Sequence, residues 1–173
     1  MVREFMKKVK YSIRETIEDG IPSWHALGKH LQKTWDALES RVSKNTPICS
    51  AFNYDMDLGM VLELYTMVLR REHEAIEKWL KETPSGSELE LTAWYKCRVG
   101  YEKRMGSDAP RTCYGVKVIL FNTKETKHFD YMFECKSFYP IAKKDASYCY
   151  WKENTDEKFA QFLKKSAERN KDH

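Results

Sequence analysis

Glu134-Cys135-Lys136 has the E-x-K spacing with which metal-dependent nucleases combine a metal-binding carboxylate and a lysine. That chemistry also takes a carboxylate from the neighbouring strand, so that both can share the ion. A hairpin folded about a turn at residues 123–126 sets Glu134 opposite Gly115 and Asp130 opposite Ile119, and the neighbour supplies none. Asp130 and Glu134 lie roughly 13 Å apart along one strand, too far to hold one ion together. Lys96, Arg98, Lys117, His128 and Lys136 form a second set on a sheet face. They offer an imidazole base and cations for phosphate, the parts of a small metal-independent ribonuclease or an RNA-binding face. Lysines and arginines on strands also serve only to keep an edge solvated.

The remaining polar groups point to no chemistry. Glu72-His73-Glu74 with Glu77 lacks a second histidine one turn away, so it reads as a solvated acidic helix face. Five cysteines lie on separate elements without a C-x-x-C pair, which predicts reduced thiols and no structural zinc. No nucleophile elbow, phosphate loop or dinucleotide fingerprint occurs. The net charge of +4 is mild and permits nucleic acid without requiring it. Residues 1–19 are charged throughout and no apolar run reaches membrane length, so neither a signal peptide nor a membrane partner is expected. The residues alone predict a protein that is not an enzyme and binds no cofactor.

What would position these groups is set by a change of period at Pro84. Before it, apolar residues recur at helical spacing; after it they alternate. The fold class is therefore α+β, with a three-helix module at 1–83 and a mostly antiparallel β-sheet module at 84–173. Helix one is predicted over 2–18. Helix two carries Trp24, Leu27, Leu31, Trp35, Leu38 and Val42 as a continuous seam behind a Ser23 cap. His25 and His30 fall off that seam and read as solvated. Residues 45–54 should be irregular, and helix three runs from about 55 to 81. Leu89, Leu91, Ala93, Tyr95 and Cys97 share one strand face. In the following hairpin, Leu120 should face Phe129, with Val118 on Tyr131, Val116 on Phe133 and Tyr114 on Cys135. Pro140 confines its segment to an edge or an end. Tyr148 to Trp151 reads as a further strand and the tail from Asp156 as helical.

Three stretches then resemble the N-terminal transactivation domain of the papillomavirus early-two regulatory protein. They are Leu62-Glu63-Leu64 with Glu77-Lys78-Trp79, Tyr114 to Val118 with His128-Phe129 beyond, and Tyr150 to Phe162. The resemblance implies an antiparallel three-helix bundle leading into a twisted sheet, and a strand at 158–162. It implies a non-enzymatic regulator of viral transcription and genome replication in the host nucleus. Partners would be the viral replicative helicase and host transcription or chromatin proteins, with a homodimer allowed and DNA reached only through a domain outside this chain. Aligned on Trp24, the family's partner-binding places on helix two fall on Gly28 and His30, and its exposed apolar residue on helix three falls on Leu62. Gly28 stands where the family has the arginine for its bromodomain contact, and His30 where it has a glutamate.

Overall fold

The computed structural model describes residues 10–107 and 110–143. Within them the chain forms five helices and six strands, arranged as two antiparallel three-stranded sheets. The α+β class holds. The three-helix bundle is not what the described residues form, and the reason lies in two local breaks.

The first break falls in the helix predicted from Trp24 onward. α1 (Ile13–Asp19) begins with a capping box between Ser12 and Glu15. α2 (Trp24–Leu27) is capped by Ser23, but it ends after one turn at Gly28. Gln32 takes a left-handed φ of 49°, and Thr34 caps a separate α3 (Trp35–Arg41). The seam is thereby divided. Leu27 and Leu31 join the main core, Leu38 joins a second cluster, and Trp24 stands 67% exposed.

The second break is β1 (Ile48–Phe52), in the segment expected to be irregular. Its residues Cys49 to Phe52 are buried, which a strand with covered faces requires. α4 (Leu58–Arg71) follows, capped by the Asp57 carboxylate on the Met60 N–H at 2.8 Å. Glu72 interrupts helical geometry, so the predicted third helix continues as a separate α5 (His73–Glu82). α4 and α5 present Met60, Val61, Leu64, Tyr65, Val68, Leu69, Ile76, Trp79 and Leu80 to the core.

The remaining strands are β2 (Glu88–Trp94), β3 (Gly100–Arg104), β4 (Arg111–Cys113), β5 (Gly115–Asn122) and β6 (Phe133–Ile141). One sheet has the order β1-β3-β4 and the other β2-β5-β6. The alternation of Leu91, Ala93 and Tyr95 toward the core is as predicted, and so is the edge position of the Pro140 segment. The hairpin register is not. Leu120 pairs with Cys135 rather than Phe129, Val118 with Phe138, and Val116 with Pro140. A ten-residue loop (123–132) replaces the tight turn, held by the Thr123 hydroxyl on the Tyr131 carbonyl at 2.8 Å. The ladder is also irregular between Ile119 and Leu120, where Lys136 is left as an extra residue on β6.

The two sheets meet along β6, which contacts both β1 and β3. Gly100 permits this approach: a Cβ there would come within 2.2 Å of the Ala51 carbonyl oxygen and 2.7 Å of Pro140 Cγ. Phe138 closes the centre, its ring 5.1 Å from that of Phe52 and 5.4 Å from that of Tyr65. A smaller cluster of Leu38, Cys49 and Ala51 lies under α3, with Trp35 and Tyr101 packed on it. The strand at 148–151 and the helix or strand near 156–162 fall outside the described residues.

Phe138→Ala should destabilise the fold by about 3–5 kcal/mol, because it empties a fully buried aromatic site. Trp24→Ala should change stability by no more than about 0.5 kcal/mol, since it leaves no cavity. Equilibrium denaturation of the two variants checks both; equal losses would place Trp24 back in a core seam.

Candidate active site

The irregularity in β6 decides which side chains face out. Cys135 is buried, Lys136 and Ser137 both lie toward the open face, and Phe138 returns to the core. Tyr139 then faces the same way as Ser137. Across the sheet, Thr92, Lys117 and Tyr139 form one cross-strand row, and Trp94, Gly115 and Ile141 form the next. These rows line one side of a cleft of about 810 Å³, whose other side is built from α2, the segment after it, β1 and β3.

His30 lies in this cleft and is fixed by β1 at two points. Its carbonyl accepts from the Phe52 N–H at 2.8 Å, and its Nδ1 lies 2.7 Å from the Ser50 carbonyl oxygen. A carbonyl only accepts, so Nδ1 carries the proton and Nε2 keeps its lone pair. The imidazole stacks on Tyr139, with ring centroids 5.3 Å apart. Burial pushes the imidazole pKa down to about 4, against the Ser50 hydrogen bond, and the charges of Arg41 and Lys29 lower it further. His30 is thus a neutral base at pH 7 with a defined tautomer.

Cations surround it. Arg41, at the end of α3, also lines the cleft, with Nη1 donating to the Lys29 carbonyl. Lys117 pairs with Glu90 at 3.6 Å, and Lys136 pairs with Glu88. Both pairs are half-exposed, so they are weak and open readily to another anion. On the opposite wall the buried Glu102 carboxylate receives Arg104 Nε at 2.6 Å and the Ala142 N–H at 3.4 Å, with Arg111 at 3.9 Å. Its charge is consumed in joining β3 to the end of β6. Among the described residues no group of three His, Cys, Asp or Glu is placed to hold a metal ion. Imidazole, hydroxyls and cations together are suited to a phosphodiester: a base for a hydroxyl nucleophile and positive charge for the phosphoryl oxygens.

Several predicted residues are elsewhere. His128 is exposed in the loop before β6, and Lys96 and Arg98 lie beyond the end of β2; none lines the cleft. Lys117 and Lys136 are brought together there. His30 is not the solvated helix histidine of the sequence reading, because the chain leaves helical geometry before reaching it. His25 is exposed at the cleft margin. Gly28 caps α2, its N–H 2.6 Å from the Trp24 carbonyl oxygen, and Leu62 is partly buried against the main core. Gly28, His30 and Leu62 therefore occupy three different settings. Arg41, Ser137 and Tyr139 carry no sequence signal of their own: the first follows from the break at Gly28, the others from the extra residue in β6.

The model of the family described as "Bacterial CdiA-CT RNAse A domain" matches residues 24–133. Among solved structures, a chain of the CdiA-CT/CdiI complex from Y. kristensenii 33638 superposes with a TM-score of 0.59 and 18% identity, covering 68% of this chain and 99% of that one. At that identity the likeness is one of fold. No curated protein matches. These findings overturn the papillomavirus resemblance: nothing viral is matched, and motifs such as Tyr114 to Val118 show only the alternation of any half-buried strand. The non-enzymatic expectation falls with it, because the matching family is one of ribonuclease domains. So do the viral helicase, the host chromatin partners and the host nucleus, since both likenesses are bacterial and the solved one is a complex with CdiI. With its match running over more than half of the sequence, cleft residues from His25 to Lys117 included, the chain belongs to the bacterial CdiA-CT RNase A domain family.

Proposed function

We propose that the cleft between the two sheets cleaves RNA by attack of a ribose 2′-hydroxyl on the adjoining phosphate. The observation that carries this reading is His30: neutral, with Nδ1 held by the Ser50 carbonyl, and surrounded by cations. Nε2 takes the proton of the 2′-hydroxyl, whose oxygen bonds to phosphorus. The bond from phosphorus to the 5′-oxygen breaks, leaving a 2′,3′-cyclic phosphate. The departing oxygen takes its proton from the Tyr139 hydroxyl, while Arg41, Lys117 and Lys136 balance charge on the phosphoryl oxygens. Ser137 offers a further hydroxyl donor beside them. In this reading the domain acts as an RNA-cleaving toxin passed between bacterial cells. Its cognate partner is an immunity protein that covers this cleft, by likeness to the solved complex with CdiI.

Purified protein incubated with mixed RNA should release products ending in 2′,3′-cyclic phosphate. His30→Ala should lower kcat by roughly 10²–10⁴-fold, the usual contribution of a general base. Tyr139→Phe keeps the ring against His30 and should lower kcat with KM nearly unchanged. His128→Ala should cleave as the parent does. RNA left intact by the parent, or cleavage that depends on His128 and not His30, would sink the proposal.

Two pH effects follow from the depressed imidazole. The acid limb of kcat/KM should fall only as pH drops toward about 4, well below an ordinary histidine. Stability moves in the same window. The unfolded chain binds a proton at His30 below about 6.5, while the folded chain does so only near 4. Unfolding therefore takes up a proton between these values, and stability is complete above the window and declines as pH falls through it. His30→Gln should flatten that part of the stability profile; an unchanged slope would mean that the imidazole is not held neutral.

A further inference from the structure

The Trp94 indole lies at the opposite edge of the cleft from His30. It is the last residue of β2, half-buried, and its ring rests on the bare backbone of Gly115. A Cβ at Gly115 would come within 2.4 Å of Cε3, 2.6 Å of Cζ3 and 2.9 Å of Cδ2, so only glycine lets the indole lie flat there. The Lys143 ammonium sits over the ring, 5.3 Å from its centroid, and both residues line the cleft. Trp94 is therefore an aromatic platform backed by Gly115 and covered by the Lys143 ammonium, which a stacking base displaces from the ring toward its own phosphate. It takes no part in the chemistry proposed for His30 and Tyr139.

We infer that Trp94 is a base-stacking subsite for single-stranded RNA, with Lys143 contacting the phosphate next to the stacked base. The inference rests on the ribonuclease reading and adds to it a stretch of substrate beyond the scissile bond. Aromatic faces stack bases of any identity, and a neighbouring cation tracks the backbone. β2 and β6 are separated by two strand spacings, roughly 10 Å. Trp94 also lies two residues further along the sheet than the row of Tyr139, about 12 Å away in all, which suits a base of a nucleotide outside the pair joined by the phosphate at His30 and Tyr139. The strand between them, β5, carries Lys117 in the row of Tyr139, on the path from the scissile phosphate toward Trp94.

The test compares a dinucleotide with a single-stranded RNA octamer as substrates. Trp94→Leu should raise KM for the octamer by about 10-fold, within the range of one base–aromatic stack, and leave the dinucleotide rate nearly unchanged. Trp94→Phe, which keeps a stacking face, should restore most of the octamer affinity. Binding of a labelled 2′-deoxy octamer, which has no 2′-hydroxyl to react, should weaken by the same factor in Trp94→Leu. In the parent, the indole N–H resonance assigned to Trp94 should shift on titration with that deoxy octamer, a readout that needs no folded variant. Equal losses on dinucleotide and octamer, or no change on either with an unmoved resonance, would overturn the inference. Cleavage with no effect of Trp94 defeats the stacking site alone; Trp94-dependent binding without cleavage defeats the ribonuclease reading alone.

Discussion

The pair of hydrogen bonds between His30 and β1 holds the site together. One is backbone to backbone, Phe52 N–H to His30 carbonyl, and ties the segment after α2 to the strand. The other runs from Nδ1 to the Ser50 carbonyl and orients the ring. β1 is in turn paired along its length with β3, from Ile48 on Arg104 to Phe52 on Gly100. The imidazole is thus mounted on a sheet, although it lies in a segment of helices and turns. A base held this way needs no acidic residue to set its tautomer. That explains how a site with one histidine in register can lack a carboxylate beside it.

How much of this was legible depended on whether local period or long-range pairing decided each feature. The Ser23 cap, the buried faces of α4 and α5, and the alternation of β2 are local, and the sequence predicts them. The break at Gly28 is local too, but the apolar spacing from Trp24 to Val42 runs through it without interruption. The end of α2 at Gly28, the positive φ at Gln32 and the Thr34 cap separate α2 from α3. The hairpin failed for a different reason. Its apolar residues pass the alternation test in more than one register: Leu120 slips by six, which keeps the same faces buried, and the extra residue makes the slip seven at Val118 and Val116. The pairing that wins sets Phe138 between Phe52 and Tyr65, a contact with two elements distant in sequence.

The candidate site shows the same division. Alternation puts Lys117 and Lys136 on an open, cationic sheet face, and both line the cleft. The sequence offers His128, on the same strands, as the imidazole, whereas the structure brings His30 from the other half of the chain. Ser137 and Tyr139 were hidden by a single extra residue. Without it, Phe138 would face the cleft and Ser137 and Tyr139 the core. Irregular ladders near active sites commonly redirect side chains in this way.

The carboxylates opposite the cleft lysines have an electrostatic consequence. Glu90 on Lys117 and Glu88 on Lys136 already pair with the ammoniums proposed to meet phosphates. RNA entering the groove gives up its condensed counterions, but each displaced glutamate gathers cations in return. The net release is smaller than a tally of basic side chains suggests, and so is the salt dependence that release produces. The protein therefore carries resident anions on its own cleft lysines. Ionic strength should govern its hold on RNA more weakly than it would for an unpaired basic surface.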